Sequence, residues 1–405
     1  MKISFLFAGL LAFGALARAE FSPSLQLDRR ARYENQQVTS NSTWGQSTDL
    51  YFIPAFAWGA NAILPVIVDL EQGRGGDSDG SSSGNSLVTN ETYFVRRTTY
   101  LFKPIYRRQW DKRTGLKLWG TAKRTVNAEK DDTVPYKGLY DYEEFGVGTG
   151  FDRKGDGAVA SWGAGLEYQH RHYPNWKDPG TPVTDGKNYY TKDYNALKVN
   201  LNVVGNPQGR LPWTLALSWL GRGYTDSYLY DTASDGSVLG SVTPSKSPLR
   251  AESLLRVGGD VRYAFNEAWS LLSDLGVDYN ASNFNYFDTV AFVGYSDYYG
   301  YHSTHGSLGL SWRKAQDGPG VVLKAELTNR VYTGRPIRNP DGSYTEGKQA
   351  DLEQVYSLDF DAPLGKGFAL VGGMNWTNVL SNQGFPLPRP SYDLFSSSLG
   401  LRYKL

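Results

Sequence analysis

From about residue 20 onward the chain repeats one pattern, in which apolar and polar residues alternate with a period of two over segments of roughly ten residues. The final segment is the clearest. Phe395, Ser397, Leu399, Leu401, Tyr403 and Leu405 fall on one face, and Ser396, Ser398, Gly400, Arg402 and Lys404 on the other. Upstream, Phe368, Leu370, Met374 and Trp376 share a face. Leu352, Tyr356, Leu358 and Phe360 oppose Asp351, Glu353, Ser357, Asp359 and Asp361, and Val321, Leu323, Ala325 and Leu327 oppose Lys324, Glu326 and Arg330. Leu255, Val257, Val261 and Tyr263 oppose Arg256, Asp260 and Arg262; Trp213, Leu215, Leu217 and Trp219 form a further apolar face; and Leu197, Val199 and Leu201 oppose Lys198, Asn200 and Asn202. Successive side chains of a strand point to opposite faces, so each segment predicts a strand with one apolar and one polar face. About ten tilted residues is the length that crosses a bilayer.

Connections of two lengths alternate between these segments. Short turns fall at Asp111-Lys112-Arg113-Thr114-Gly115, Arg153 to Gly157, Asn206 to Arg210, Asn266-Glu267, Gln316 to Gly320 and Gly365-Lys366-Gly367. Long polar loops are expected at 72–91, 127–138, 173–190, 226–249, 283–299, 333–349 and 381–391. This is the rhythm of an up-and-down barrel with short periplasmic turns and long external loops. The expected fold class is therefore all-β, a transmembrane antiparallel barrel of about sixteen strands, with about fourteen and about eighteen the neighbouring even counts. The first third fits less well. Arg29 shares a face with Leu25, Leu27 and Tyr33, and Ile63 to Leu70 is apolar on both faces, so no register follows there.

Composition changes the picture in two ways. The 28 Tyr, 11 Trp and 45 Gly, with only 2 Met, suit a wall with aromatic residues at lipid interfaces and glycine at bends. A soluble β-sandwich or propeller shares that bias. The absence of cysteine excludes disulfides, thiolate metal sites and lipid attachment at an N-terminal cysteine. At the start, Lys2, the apolar stretch Ile3 to Leu16 and Ala17-Arg18-Ala19 read as a cleaved signal peptide over residues 1–19, leaving a mature barrel over 20–405. Without Lys2 and Arg18 the basic and acidic residues number 40 and 41, a balance that gives nucleic acid no footing.

The last strand resembles the C-terminal signature of bacterial outer-membrane proteins: an apolar final residue, an aromatic two positions before it and apolar residues at alternate positions. Here these are Leu405, Tyr403, Leu401 and Leu399. Members usually end in Phe, so Leu405 is a departure. The resemblance implies a porin-like barrel in the outer membrane of a Gram-negative cell. Its implied partners are outer-membrane lipid, lipopolysaccharide and the barrel assembly machinery, which would engage the C-terminal strand. It selects no subfamily. No plug domain of the TonB-dependent kind, no peptidoglycan-gripping domain and no fatty-acid-channel hatch is expected.

The charges on the polar faces are the candidate chemistry. Basic Arg30, Arg32, Lys103, Arg107, Lys117, Lys123, Arg171, Lys198, Arg222, Arg256, Arg262, Arg313, Lys324, Arg330 and Arg402 share the inner phase with acidic Glu144, Glu167, Asp260, Asp274, Asp278, Glu326, Asp351, Glu353, Asp359 and Asp361. Among them Arg256, Asp260, Arg262, Lys324, Glu326, Arg330, Asp351, Glu353, Asp359 and Asp361 are the expected lining of a pore. Bases dominate the early strands and acids cluster at 351–361, which would set up a transverse field. The function expected is passive passage of small hydrophilic solutes. A plugged, structural or adhesive barrel is the alternative, and an outer-membrane lipid hydrolase the second.

The remaining motifs are weaker. His302-Ser303-Thr304-His305 could place His305 on one face with Ser303 or Ser307, but no acid orienter is apparent and no catalytic residue is assigned. His170 and His172 share a phase but supply only two metal ligands, and no cofactor or metal is expected. Asp77-Ser78-Asp79-Gly80 opens like a calcium loop without its distal Glu. Tyr189, Tyr190, Tyr194, Tyr224, Tyr228, Tyr230, Tyr286, Tyr295, Tyr298, Tyr299 and Tyr301 crowd the loops and strand ends. They read as an outer girdle against lipopolysaccharide, with stacking on sugars as the alternative.

Overall fold

The computed structural model describes residues 20–36, 41–58, 62–77, 96–128, 141–174, 192–233, 237–239, 247–288, 291–315, 317–384 and 391–404, with side chains from Thr99 onward. In chain order the strands are β1 (Glu20–Gln36), β2 (Asn41–Trp58), β3 (Ala62–Asp77), β4 (Arg96–Gln109), β5 (Thr114–Ala128), β6 (Tyr142–Lys154), β7 (Val159–His172), β8 (Tyr194–Gly205) and β9 (Trp213–Tyr228). They continue as β10 (Leu249–Ala264), β11 (Trp269–Ser282), β12 (Tyr286–Asp288), β13 (Val293–Tyr295), β14 (Tyr301–Arg313), β15 (Gly320–Arg338), β16 (Tyr344–Gly365), β17 (Phe368–Ser381) and β18 (Tyr392–Lys404). Among the described residues, sixteen of these form one closed antiparallel ring, and β12 with β13 stands apart as a hairpin. Ring strands pair with their sequence neighbours, except that β11 pairs with β14 across the hairpin. The ring closes where β18 lies against β1, with Leu27 opposite Tyr403 and Arg32 opposite Ser398. In hydrocarbon every backbone donor and acceptor has to be paired within the protein, and a closed ladder does this with no edge.

The two phases differ in exposure as curvature requires, since side chains crowd on a concave wall and splay on a convex one. On β6, Phe145 and Val147 are 55% and 64% exposed while Glu144, next to Phe145 and on the opposite phase, is 6% exposed. Leu275 on β11 is 70% exposed, whereas Ser270 on the same strand is 2% exposed. The apolar phase therefore faces outward and the polar phase inward. Outward aromatic pairs mark the short-turn end: Phe151 with Trp162, Tyr263 with Phe265, Trp269 with Trp312 and Phe368 with Tyr403. Towards the other end Tyr356 stacks on Trp376 at 5.3 Å, and Tyr279 stands exposed. The segment from Trp269 to Tyr279, tilted like other barrel strands, covers about 25 Å, the height of an outer-membrane apolar band.

Local chemistry sets the turns. Asp111 Oδ1 accepts from the amides of Arg113 and Thr114, and Asn266 Oδ1 from those of Ala268 and Trp269, each side chain closing its own turn. Between β16 and β17, Gly365 pairs with Phe368, and the two residues between them, Lys366 and Gly367, have φ of 50° and 81°, the left-handed pair that a two-residue hairpin needs. A Cβ on Gly367 would also stand 2.2 Å from the Lys404 carbonyl oxygen.

Two loop expectations are corrected. Residues 333–349 are not a loop: β15 and β16 run on as a ribbon, with Pro336 opposite Lys348 and Arg338 opposite Tyr344, turning at Asn339–Gly342. On one side of the ribbon Tyr332, Gly334 and Pro336 are buried, Gly334 against the backbone of Ser296 and Asp297; these positions carry no aliphatic side chain, so the apolar alternation that betrays a membrane strand is missing. Pro336 sits at a register shift, where a strand tolerates a residue without an amide donor. Residues 283–299 likewise contain the β12–β13 hairpin, which rests on the ribbon through Tyr344 Oη donating to Asp288 at 2.5 Å. For the first third, the ladder now gives a register, with Leu70 opposite Leu50 and Tyr100. The side chains of Arg30 and Arg32, the leader and the loop after Asp77 lie outside the described residues.

Candidate functional site

A ring of sixteen strands spaced about 4.8 Å apart and tilted about 40° is roughly 30 Å across between backbones. Side chains of the wall cannot fill that span, so what faces inward faces a lumen.

The register puts all ten expected lining residues on the inner phase. Arg256, Asp260 and Arg262 alternate along β10, Lys324, Glu326 and Arg330 along β15, and Asp351, Glu353, Asp359 and Asp361 along β16. Several are tied to neighbouring strands. Lys324 Nζ lies 3.2 Å from Asp274 and 3.0 Å from Glu326; Arg256 lies 3.5 Å from Asp278; and Arg313 holds Asp361 through two bonds of 2.6 and 3.1 Å. Lys117 with Asp152 adds another wall pair at 2.6 Å. Among the described residues, Lys103, Arg107, Lys123, Lys198 and Arg262 make no ion pair, nor do Asp260, Glu353 and Asp359. Most of those bases lie on the arc β4–β8, and β16 stands eight places from β6 in the ring of sixteen, so the free acids of β16 face that arc across the lumen. With a screening length of about 8 Å at physiological salt, each wall acts on solutes that pass close to it rather than across the whole bore.

A second feature runs round the inside at the long-loop end. Arg171 lies over Tyr142 at 4.4 Å and Tyr194 at 5.2 Å, and Arg222 over Tyr194 at 5.6 Å. Arg250 covers Tyr224 and Phe284 at 4.4 Å each and Tyr299 at 5.5 Å. Arg335 covers Tyr332 at 4.0 Å, Tyr298 at 4.6 Å and Tyr299 at 5.4 Å, and Arg330 covers Tyr301 at 4.9 Å. These contacts join β6 to β15 as one arc of alternating guanidinium and ring, each contact worth about 0.5–2 kcal/mol depending on desolvation. In the loop before β14, burial pushes the Tyr298 phenol above its ordinary range, with Arg335 opposing.

A closed ring, a polar charged lumen and an apolar belt between aromatic bands decide the class. Among the described residues, the chain is a closed antiparallel β-barrel of sixteen strands, apolar outside and polar within. No family model and no curated protein matches its sequence. Solved structures similar to this barrel include an anion-selective porin from Comamonas acidovorans, at 14% identity and TM-score 0.45, covering 96% of this chain and 100% of that one. OccD3 from Pseudomonas aeruginosa is 10% identical with TM-score 0.49, over 95% and 92% of the two chains. OccK2 from the same organism, solved in complex with glucuronate, is 11% identical with TM-score 0.47, over 95% and 98%.

In this barrel the tyrosines depart from expectation. Tyr194, Tyr224 and Tyr301 point inward, and Tyr298 and Tyr299 are stacked by arginines, so none of these forms an outer girdle. Their phase was readable, because Tyr194 alternates with Ala196 and Lys198, and Tyr224 with Arg222. Arg250, Glu252 and Arg335 were missed altogether, since they lie in or beside segments expected to be loops. His305 does share the inner face with Ser303 and Ser307, but those hydroxyls donate to Asp278 and Asp274 instead of to the imidazole. His170 and His172 bond Asn195 and Asp193, and no group of three or more metal-ligating side chains occurs among the described residues.

Trp119 shows how the barrel keeps bulk out of its lumen. A Cβ at Gly148 would stand 2.2 Å from its indole, and one at Gly150 3.2 Å, so the ring lies flat on a glycine seat in β6. Lys103 Nζ sits 5.6 Å over it. Gly148→Val is expected to lower stability by about 1–3 kcal/mol, read as a lower urea midpoint of the refolded barrel. An unchanged midpoint would mean that the indole swings away from the wall at no cost.

Proposed function

We propose that the barrel is a channel for passive passage of small hydrophilic solutes. The observation that carries this reading is the predominantly polar and charged inner phase of the described strands, on a ring too wide for its own side chains to fill. The acid wall on β16 and the basic arc opposite give it ion preference. The ten inward charges of β10, β15 and β16 are the lining that sets this preference. We further propose that residues 1–19 direct export and are removed before Glu20, that β18 presents the chain to the barrel assembly machinery, and that the outward belt contacts lipid and lipopolysaccharide. A hydrolase centred on His305 is not favoured, because each candidate serine is engaged by an aspartate.

Single-channel recording of refolded residues 20–405 tests the reading. Steady openings in KCl are expected, and Asp359→Lys should move the reversal potential in a salt gradient towards anion preference. A protein that is folded, as shown by heat-modifiable migration, yet does not conduct would leave a structural or adhesive barrel.

A further inference from the structure

At the short-turn end the wall is uneven in charge. The β4–β5 and β6–β7 turns are fastened into one platform, because the Lys154 amide donates to the Arg113 carbonyl at 2.8 Å and the Arg113 guanidinium donates to Asp156. The acids of this platform are all engaged. Asp111 accepts from the amides of its own turn, Asp152 lies 2.6 Å from Lys117, and Asp156 holds Arg113. Arg108, Lys112, Arg153 and Lys154 are exposed, and among the described residues none of them has a carboxylate within ion-pair distance.

Two of these bases stand on the outward phase. Arg108 lies opposite Leu116, which lies opposite Phe151 on β6, and Arg153 lies opposite Trp162, whose ring is 5.3 Å from that of Phe151. Arg108 shares its phase with Phe102 and Trp110, which are 49% and 59% exposed. Tryptophans at the edge of an apolar belt mark the level of lipid headgroups, so both guanidiniums lie where hydrocarbon gives way to phosphate. Strands β4 and β6 are two places apart in the ring, about 10 Å, a gap that two arginine side chains can close on one phosphate. The next turns in the ring differ. They expose Leu211, Tyr263, Phe265 and Trp269, and their Arg210 pairs with Ala264 on the inner phase.

We propose that the outward face of the β4–β7 platform binds the headgroup of an anionic phospholipid, with Arg108 and Arg153 on its phosphate and the Trp110 and Trp162 indoles at the level of its glycerol. A zwitterionic headgroup brings its own cation, which the free bases repel; an anionic one brings none. The proposal rests on the reading of the barrel as an outer-membrane channel with its short turns in the periplasm, which makes the lipid that of the inner leaflet. Its test does not depend on conductance.

Phosphatidylglycerol is the probe. Refolded residues 20–405 are held in detergent micelles containing equal phosphatidylglycerol and phosphatidylcholine, and the lipids that stay on the barrel are counted by native mass spectrometry. Retained phosphatidylglycerol is expected to exceed phosphatidylcholine about fivefold, and Arg108→Gln combined with Arg153→Gln to bring the two to parity. If the double variant fails the heat-modifiability check, each single Gln variant should still lower the excess about twofold. Lys314→Gln, in the β14–β15 turn, is expected to leave it unchanged. Arginine variants that retain lipid like the parent overturn the proposal. So does an equal loss in Lys314→Gln, which would make the preference one of net charge, or lipopolysaccharide displacing phosphatidylglycerol at equal concentration, which would make the site one for outer-leaflet glycolipid. A barrel that conducts KCl without the excess loses this site and keeps the channel reading; one that shows the excess without conducting does the reverse.

Discussion

Glu144→Ala is expected to destabilise the barrel by about 3–5 kcal/mol, the range for breaking one side of a buried ion pair. Glu144 is 6% exposed and stands between Lys123 on β5 and Arg171 on β7. Its loss leaves the Arg171 guanidinium packed against Tyr142 and Tyr194 with no anion to compensate it. Glu144→Gln preserves volume and one acceptor, so it should cost less. Urea unfolding in a fixed detergent, followed by tryptophan fluorescence, reads both. If Glu144→Ala costs under about 1 kcal/mol, the value for an exposed pair, Arg171 is hydrated by lumen water and the pair is a surface feature.

Leu275→Arg should cost about 2–4 kcal/mol, because it places a charge on the lipid phase between the two aromatic bands. Leu275 is 70% exposed, and Trp269 and Tyr279 bracket it on the same strand. The control is Leu272→Arg, three residues earlier and on the opposite phase, where the new guanidinium reaches water in the lumen. The same unfolding series in lipid vesicles measures both. Equal costs would mean that the two phases of β11 do not face lipid and lumen as assigned.

How far the sequence could be read follows from where water and lipid lie. From β8 onward within the bilayer, lipid outside and water inside impose a two-residue period, so Leu255, Arg256 and Val257 announce their faces without further help. The strand count rests on that period and on turn residues such as Asp111, Asn266 and Gly365-Lys366-Gly367, whose chemistry is local. Above the membrane the contrast vanishes. Arg335, Arg338 and Tyr344 lie on a ribbon whose buried side, at Tyr332, Gly334 and Pro336, carries no aliphatic residue, so no apolar period distinguishes it from a loop. The tyrosine arc was hidden for a different reason: an aromatic residue at a strand end serves an interface or a lumen equally well, and only phase separates the two. The commitments of individual acids, such as Asp351 to Ser381 and Gln349, arise from contacts across strands and leave no trace in linear order.

The seam between β1 and β18 has a consequence for how the molecule comes into being. Leu27 and Tyr403 meet across hundreds of residues of chain, so the last ladder cannot form before almost every other strand exists. Until then the nascent sheet carries two raw edges, each a row of unpaired amides that hydrocarbon penalises by several kcal/mol apiece. The partly built wall is therefore least secure just before it is finished. Damage to β1 or β18 should show itself less as a weaker native barrel than as chains stalled before closure, open to pairing with one another along the edges that the seam would have joined.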